Sequence, residues 1–244
     1  MIAVRRFLWS VLIAAGVSLC VVGSPVVQDA SAFPVSAGSV AAVQSAAERI
    51  VSDYVTVVTE IVGQLSVVPT IEIVNTSNLA YFNHRTGQIV LPHWPSLEGP
   101  SRDFFVSLSA DDTQAEELFT TLFNWFLVAH ELTHWFQREV GIALDRFSSE
   151  AMANDFAVAF HLRAAGGEKR LVRLRDLLEG ALARLNDPTP EGEDAASFFN
   201  TNYGALARDP SRYGYYQFRF ILASIAARDE LGFVSLIARA ADRP

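Results

Sequence analysis

Residues 118–137, LFTTLFNWFLVAHELTHWFQ, decide how the rest of the chain is interpreted. The stretch contains no proline or glycine and is apolar on nearly every side, which predicts a helix inside a domain. His130, Glu131 and His134 interrupt this apolar surface. Burying such groups without partners costs several kcal/mol, so the interior must supply something that satisfies them.

The two histidines have the spacing of metal ligands. On a helix, His130 and His134 lie one turn apart on the same face, so both imidazoles can reach one ion. Glu131 then lies beside the ion, where its carboxylate can take a proton from water and return it to a leaving amine. A histidine pair satisfied by hydrogen bonds in a core is the alternative. The specificity of the motif favours a metal, and the ligand type favours Zn²⁺ over Mn²⁺ or Co²⁺.

A catalytic zinc usually has three protein ligands, so a third is expected beyond the motif. Gln137 and Val140 occupy positions where a compact extension of the motif carries glycine and a third histidine, which excludes that extension. We predict Glu150 as the third ligand, because it falls on the first turn of the next predicted helix. Asp155 and His161 are alternatives, and Glu150 could instead simply favour the helix dipole.

The order of predicted elements indicates an α+β domain with the motif on a central helix. Apolar spacing predicts a first helix over residues 40–65 and then three short strands, with a turn at residues 83–87 that favours a hairpin or small antiparallel sheet. The strands are predicted at residues 70–74, 79–82 and 88–91. A loop through Pro95 and Pro100 should follow. The later helices are predicted at residues 112–141, 148–167, 168–185, 195–207 and 213–238.

The N-terminus has the pattern of an export signal. Arg5 and Arg6 precede an apolar run over residues 7–23, and Ala30-Ser31-Ala32 supplies a cleavage pattern of small residues. This predicts a signal peptide over residues 1–32 and a periplasmic or extracellular protein, with an N-terminal membrane anchor as the alternative.

The remainder, residues 33–244, is predicted to form a single domain. The chain has a net charge of −8. This acidic balance argues against nucleic acid and anionic membrane surfaces as partners. The apolar stretch before His130 is too short to span a bilayer, so we expect no stable insertion of the mature chain.

The motif and its surroundings resemble gluzincins, which are zinc peptidases with two motif histidines and a glutamate from a following helix. More narrowly, the chain resembles uncharacterised bacterial families of this metallopeptidase type. Residues 80–92 match their hairpin and residues 150–157 match the helix after the motif, within a resemblance that covers residues 70–165.

The resemblance implies a zincin-like fold, with Zn²⁺ on His130, His134 and Glu150 and with Glu131 as general base. It also implies a peptide or protein substrate, which could pair with the strand nearest the cleft. One departure is Asn154, since gluzincins often carry aspartate there to orient a motif histidine. An amide oxygen can still accept from an imidazole N–H, although without the charge.

A peptidase also needs a donor for the developing oxyanion. Tyr213 is our candidate, and Tyr216 and Arg219 share its face on the predicted helix; ordinary core packing is the alternative. The sequence as a whole predicts a zinc-dependent peptidase. The other hypotheses are an exported metal-binding or sensing module with little hydrolytic activity, and a structural helical domain in which the motif is accidental.

Overall fold

The computed structural model describes residues 38–242 and has an α+β architecture, as the sequence predicts. The predicted signal peptide lies outside this range. The strands are β1 (Thr70–Ile73), β2 (Tyr81–Asn83) and β3 (Gln88–Leu91). The helices of the described residues are α1 (Val40–Val62), α2 (Gly99–Ser107), α3 (Asp112–Thr121), α4 (Leu127–Glu139), α5 (Arg146–His161), α6 (Gly167–Leu182), α7 (Ala195–Leu206), α8 (Pro210–Ala226) and α9 (Phe233–Ala241).

The sheet contains the predicted hairpin but is mixed. Strands β2 and β3 pair antiparallel, and Gly87 takes φ 73° in the turn between them. Strand β1 pairs with β3 in parallel, which gives the order β1-β3-β2. A purely antiparallel sheet is therefore not formed, because β3 returns from the hairpin into the position between the other two strands. Strand β2 remains at the edge of the sheet, next to α4.

The predicted motif helix is one rod made of three parts. Helix α3 begins after Asp111, whose side chain accepts from the Gln114 N–H at 2.8 Å. A π-helical turn, Leu122–Phe126, joins it to α4. Such turns are frequent at functional sites. Within this turn, the buried Asn124 donates to the carbonyl of Pro92 at 2.8 Å and so ties the rod to the end of β3.

Polar contacts fix α4 against its surroundings. The Thr133 hydroxyl donates to the Ala129 carbonyl at 2.9 Å, so the Tyr54 hydroxyl, 3.0 Å away, donates to Thr133. Trp135 Nε1 donates to the Val67 carbonyl at 2.7 Å. The side chains of Tyr54, Thr133 and Trp135 are buried. They orient α4 about its own axis, which sets the direction in which the motif side chains point.

Several predicted ends differ from the structure by a few residues, and two differences concern whole elements. The stretch after β3 was expected to be a loop, but it contains α2, with Pro100 in the first turn, where a missing N–H removes no helical bond. The last predicted helix is two helices, α8 and α9, which are separated by a 3-10 turn and by Gly232. In residues 38–242, no helix is both long enough and apolar enough to cross a bilayer.

His161, one of the alternative metal ligands, belongs to the core. Its ring lies 4.1 Å from that of Trp125, centroid to centroid, and its Nε2 lies 3.4 Å from the Phe126 carbonyl oxygen. Burial lowers the pKa of His161 to about 3. The unfolded chain binds a proton near pH 6.5 that the folded protein does not bind, so this residue makes folding less favourable as the pH falls below 6.5.

Replacement of this histidine should remove that part of the acid sensitivity. His161→Gln keeps a donor for Phe126 but cannot titrate. Between pH 7 and pH 5, we expect the wild type to lose about 2 kcal/mol more unfolding free energy than the variant. Urea unfolding with a chelator present measures this difference. Equal losses in the two proteins would contradict the burial of a neutral His161.

Candidate metal centre

Helices α4 and α5 bring together the three predicted ligands. The His130 and His134 Nε2 atoms are 3.1 Å apart, and His130 Nε2 is 3.3 Å from Glu150 Oε2. The His134 Nε2 atom is 3.8 Å from Glu150 Oε1. His130 and Glu150 are 3 % and 6 % exposed. The donor atoms of the three residues all lie within 4.8 Å of one another, so this group could hold a metal ion.

Two amide side chains determine which nitrogen of each imidazole carries the proton. Asn154 donates from Nδ2 to the Glu150 carbonyl at 2.9 Å, which leaves its Oδ1 facing His130 Nδ1 at 3.1 Å. Gln137 donates from Nε2 to the Ser149 carbonyl at 3.2 Å, which leaves its Oε1 facing His134 Nδ1 at 3.0 Å. An amide oxygen only accepts, so both Nδ1 atoms must donate.

The donor set therefore fits a cation. With both Nδ1 atoms protonated, the two neutral imidazoles direct their Nε2 lone pairs at each other and at the Glu150 carboxylate. Three acceptors at such short distances repel unless a positive charge lies among them. Two imidazole nitrogens and one carboxylate oxygen form a ligand set that zinc enzymes use, with a further coordination position left for water or substrate.

The sequence predicted one of these two supporting amides. The expectation that Asn154 accepts from an imidazole N–H is confirmed by its contact with His130. The role of Gln137 was missed, because the residue was considered only as the absence of a motif glycine. Its signal was its position three residues after His134, on the same side of the helix.

Glu131 lies beside the three ligand groups. Its Oε2 accepts from the Phe82 N–H on the edge strand at 2.8 Å, and the side chain is buried. Burial raises the pKa of Glu131 to about 7. A protonated His134 and the Phe82 N–H oppose this rise, and the negative charge of Glu150 adds to it. A carboxyl group with such a pKa can both take up and release a proton near neutral pH.

The predicted Tyr213 contacts the metal site through Glu150. Its hydroxyl lies 3.4 Å from Glu150 Oε1, while Gln217 donates to Glu150 Oε2 at 2.7 Å and to the Tyr213 hydroxyl at 2.9 Å. Burial alone would raise the pKa of Glu150. When no metal is bound, histidines that carry an extra proton lower it to about 2 through the His130 hydrogen bond and their charges, together with the Gln217 hydrogen bond. No sequence pattern indicates Gln217, because its place near Glu150 depends on the packing of α8 on α5.

The remaining predicted candidates lie elsewhere. Tyr216 bonds to Thr189 at 2.6 Å, and Arg219 pairs with Asp187 at 3.6 Å, so neither shares the position of Tyr213. Asp155, the other alternative ligand, accepts from Ser224 at 2.7 Å. Neither Asp155 nor His161 belongs to the group of possible metal ligands in the described part of the chain.

The three ligands and Glu131 line a cavity of about 530 Å³. This volume is within the range of small-molecule and peptide sites. Hydrophobic side chains line the cavity from α2, the π-helical turn and α8, and also from the start of α4 and from the loop between α4 and α5. Tyr203 and Tyr213 also face the cavity, as do the edge strand and two arginines. The three side chains that could hold a metal are therefore largely buried, while the cavity beside them can accept a molecule of substantial size.

Comparisons with protein-family models, curated proteins and solved structures found no match for this chain. A function must therefore be argued from the chemistry of the site. The geometry above supplies a possible metal-binding group, a neighbouring carboxylate and a cavity that reaches both.

The Asn154 amide offers a test of this geometry. Asn154→Leu should weaken zinc binding by roughly 10- to 100-fold, because the acceptor that orients His130 is lost. Asn154→Asp keeps an acceptor and should retain zinc. Competition with a chromophoric chelator at pH 7.5 measures the affinities. Asn202→Leu is a matched control, since Asn202 makes a similar bond to the carbonyl of Phe198 on α7. Wild-type affinity in Asn154→Leu would contradict the assigned role.

Proposed function

We propose that this protein is a zinc-dependent peptidase of the gluzincin type. The observation that carries the proposal is the convergence of two imidazole lone pairs and one carboxylate on a single point, with the Glu131 carboxyl beside it in a cavity. Zinc is proposed because its usual ligands match this set. The export pattern in residues 1–32 agrees with a peptidase that acts outside the cytoplasm.

His130, His134 and Glu150 would hold the ion. Bound zinc acts as a Lewis acid that polarises a peptide carbonyl and makes water more acidic. The amides of Asn154 and Gln137 keep both histidines in the tautomer that presents Nε2 to the ion. Thus the protein prepares the ligands before the metal arrives, which lowers the cost of ordering them.

Glu131 would be the general base and then the general acid. Its Oε2 is held by the Phe82 N–H, which leaves Oε1 for a water or a substrate group in the cavity. The carboxylate takes a proton from the water that attacks the carbonyl carbon. It then gives this proton to the amide nitrogen as the C–N bond breaks. The products are a carboxylate and an amine, so water is the only co-substrate.

Two further groups would bind the substrate. Tyr213 can donate its hydroxyl hydrogen to the developing oxyanion, and burial raises the pKa of this hydroxyl well above its ordinary value, which keeps the group protonated. The edge strand β2 borders the cavity through Tyr81 and Phe82 and can pair with an extended peptide through main-chain groups other than the Phe82 N–H, which holds Glu131.

The second candidate function is a metal-binding or sensing module with little hydrolysis. Asn154 favours it, because an uncharged partner supports the basicity of a ligand imidazole less than a carboxylate does. Such a module would use the same ligands but would not need Glu131 as a base.

Glu131→Gln distinguishes the two functions. The amide oxygen of the new side chain would still accept from the Phe82 N–H, so the fold and the zinc content should be unchanged. We expect hydrolysis of casein and of a mixed peptide library to fall at least about a hundredfold, because the base is lost. Mass spectrometry measures cleavage and elemental analysis measures zinc. Glu139→Gln, near the end of the same helix, is the control and should cleave like the wild type. Equal activity of Glu131→Gln and the wild type would exclude catalysis through this carboxylate.

A further inference from the structure

The two ends of the cavity differ in chemical character along α4. Leu127 lines the cavity at the start of this helix and Arg138 lines it near the end, with both ligand histidines between them. Eleven residues at about 1.5 Å each separate these ends by roughly 16 Å. About five residues of an extended peptide cover that distance. A peptide along the cavity would therefore contact both ends while it passes the metal site.

The end near Leu127 is apolar. The π-helical turn contributes Leu122 and Phe123 to the lining, and α2 contributes Phe104. Phe105, which also lines the cavity, packs edge-on against Phe123 with ring centroids 5.4 Å apart. An apolar side chain of the substrate fits here, because its burial removes apolar surface from water.

The opposite end carries basic side chains beside the apolar Ile142 and Leu144 of the loop between α4 and α5. Arg138 at the end of α4 and Arg146 at the start of α5 both line the cavity, and both are exposed. Both arginines lie close enough to His84 in the hairpin turn to affect it. Burial is the main cause that lowers the pKa of His84, and the charges of Arg138 and Arg146 lower it further. Two positive charges thus face the same end of the cavity.

These arginines have no acidic partner in the described part of the protein. Neither lies within 4.0 Å of a carboxylate in residues 38–242. Arg138 donates to the His84 carbonyl at 2.7 Å, and Arg146 lies 4.9 Å from the centroid of the Tyr203 ring. Asp145 is next in sequence but bonds to Ser148 and Asn200. The acidic residues of the cavity lining are Glu131 and Glu150, both within the metal site.

We infer that the substrate is a peptide with an apolar side chain on one side of the scissile bond and a carboxylate on the other, and that Arg138 and Arg146 bind this carboxylate. The inference rests on the proposed peptidase function. Guanidinium groups bind carboxylates through charge-assisted hydrogen bonds. This preference for a carboxylate acts only close to the two arginines, since the chain as a whole has a net charge of −8 and repels anions at long range. The carboxylate is either the C-terminus of the peptide or a Glu or Asp side chain.

Binding can be tested separately from hydrolysis in zinc-loaded Glu131→Gln. The probes are three kinds of dansyl-labelled hexapeptide with one Phe among alanines: a free C-terminus, an amidated C-terminus, and an amidated peptide with one Glu at each alanine position in turn. We expect at least one carboxylate-bearing probe to bind about tenfold more tightly than the neutral amide, by fluorescence anisotropy. Preference for the free C-terminus or for an internal Glu identifies the source of the carboxylate.

The arginine variants test which groups cause this preference. In the same background, Arg138→Gln with Arg146→Gln should abolish the preference but leave zinc content and binding of the neutral amide unchanged. Arg212→Gln, which removes an exposed charge outside this cavity, should leave the preference intact. Equal binding of all probes, or no binding of any, would overturn the inference. A preference that survives the double substitution would also overturn it, because the carboxylate would then bind the zinc.

Cleavage of the same probes by the wild type distinguishes this inference from the proposed function. Cleavage without a carboxylate preference would retain the peptidase and refute the arginine site. A preference that depends on the arginines, with no cleavage of any probe, would retain the carboxylate site and count against the peptidase.

Discussion

The central constraint in this structure is that three hydrogen-bond acceptors face one another in its interior and repel. They are His130 Nε2, His134 Nε2 and the Glu150 carboxylate. Asn154 and Gln137 force the protons of His130 and His134 onto Nδ1, so that both Nε2 lone pairs point towards Glu150. This arrangement is unfavourable without a cation and becomes favourable with one, because the ion replaces repulsion by coordination. Gln137 on α4 also bonds to a backbone carbonyl of α5, and Asn154 on α5 bonds to His130 on α4, so these contacts hold the two helices together.

The rest of the fold keeps these groups in position. Tyr54 on α1 contacts Thr133 from behind the motif, while Phe82 on the edge strand holds Glu131 in front of it. Helix α8 completes the site through Gln217, which contacts Glu150. Separate parts of the chain each supply one contact, so the three acceptor groups are held in place beside an open cavity. This combination suits a site that must bind a metal firmly and exchange a larger ligand.

The sequence predicted those features that depend on local periodicity. The helical repeat places His130 and His134 on one face. Because a catalytic zinc usually has three protein ligands, Glu150 is then the next candidate, and the structure places it beside both histidines. Pairing of β1 with β3, and the contact of Gln217 with Glu150, join residues far apart in the chain, so no local pattern indicates them. Helix α2 was missed because Pro100 was interpreted as a loop residue, although proline fits the first turn of a helix.

The most direct test is a crystal structure of residues 33–244 with zinc, with diffraction recorded on both sides of the zinc absorption edge. We expect one strong anomalous peak at about 2.0–2.2 Å from His130 Nε2, His134 Nε2 and a Glu150 carboxylate oxygen, with Nδ1 of each histidine still bonded to its amide. A peak at other residues, or none at saturating zinc, would show that the three acceptors are satisfied in another way and would contradict the metal site.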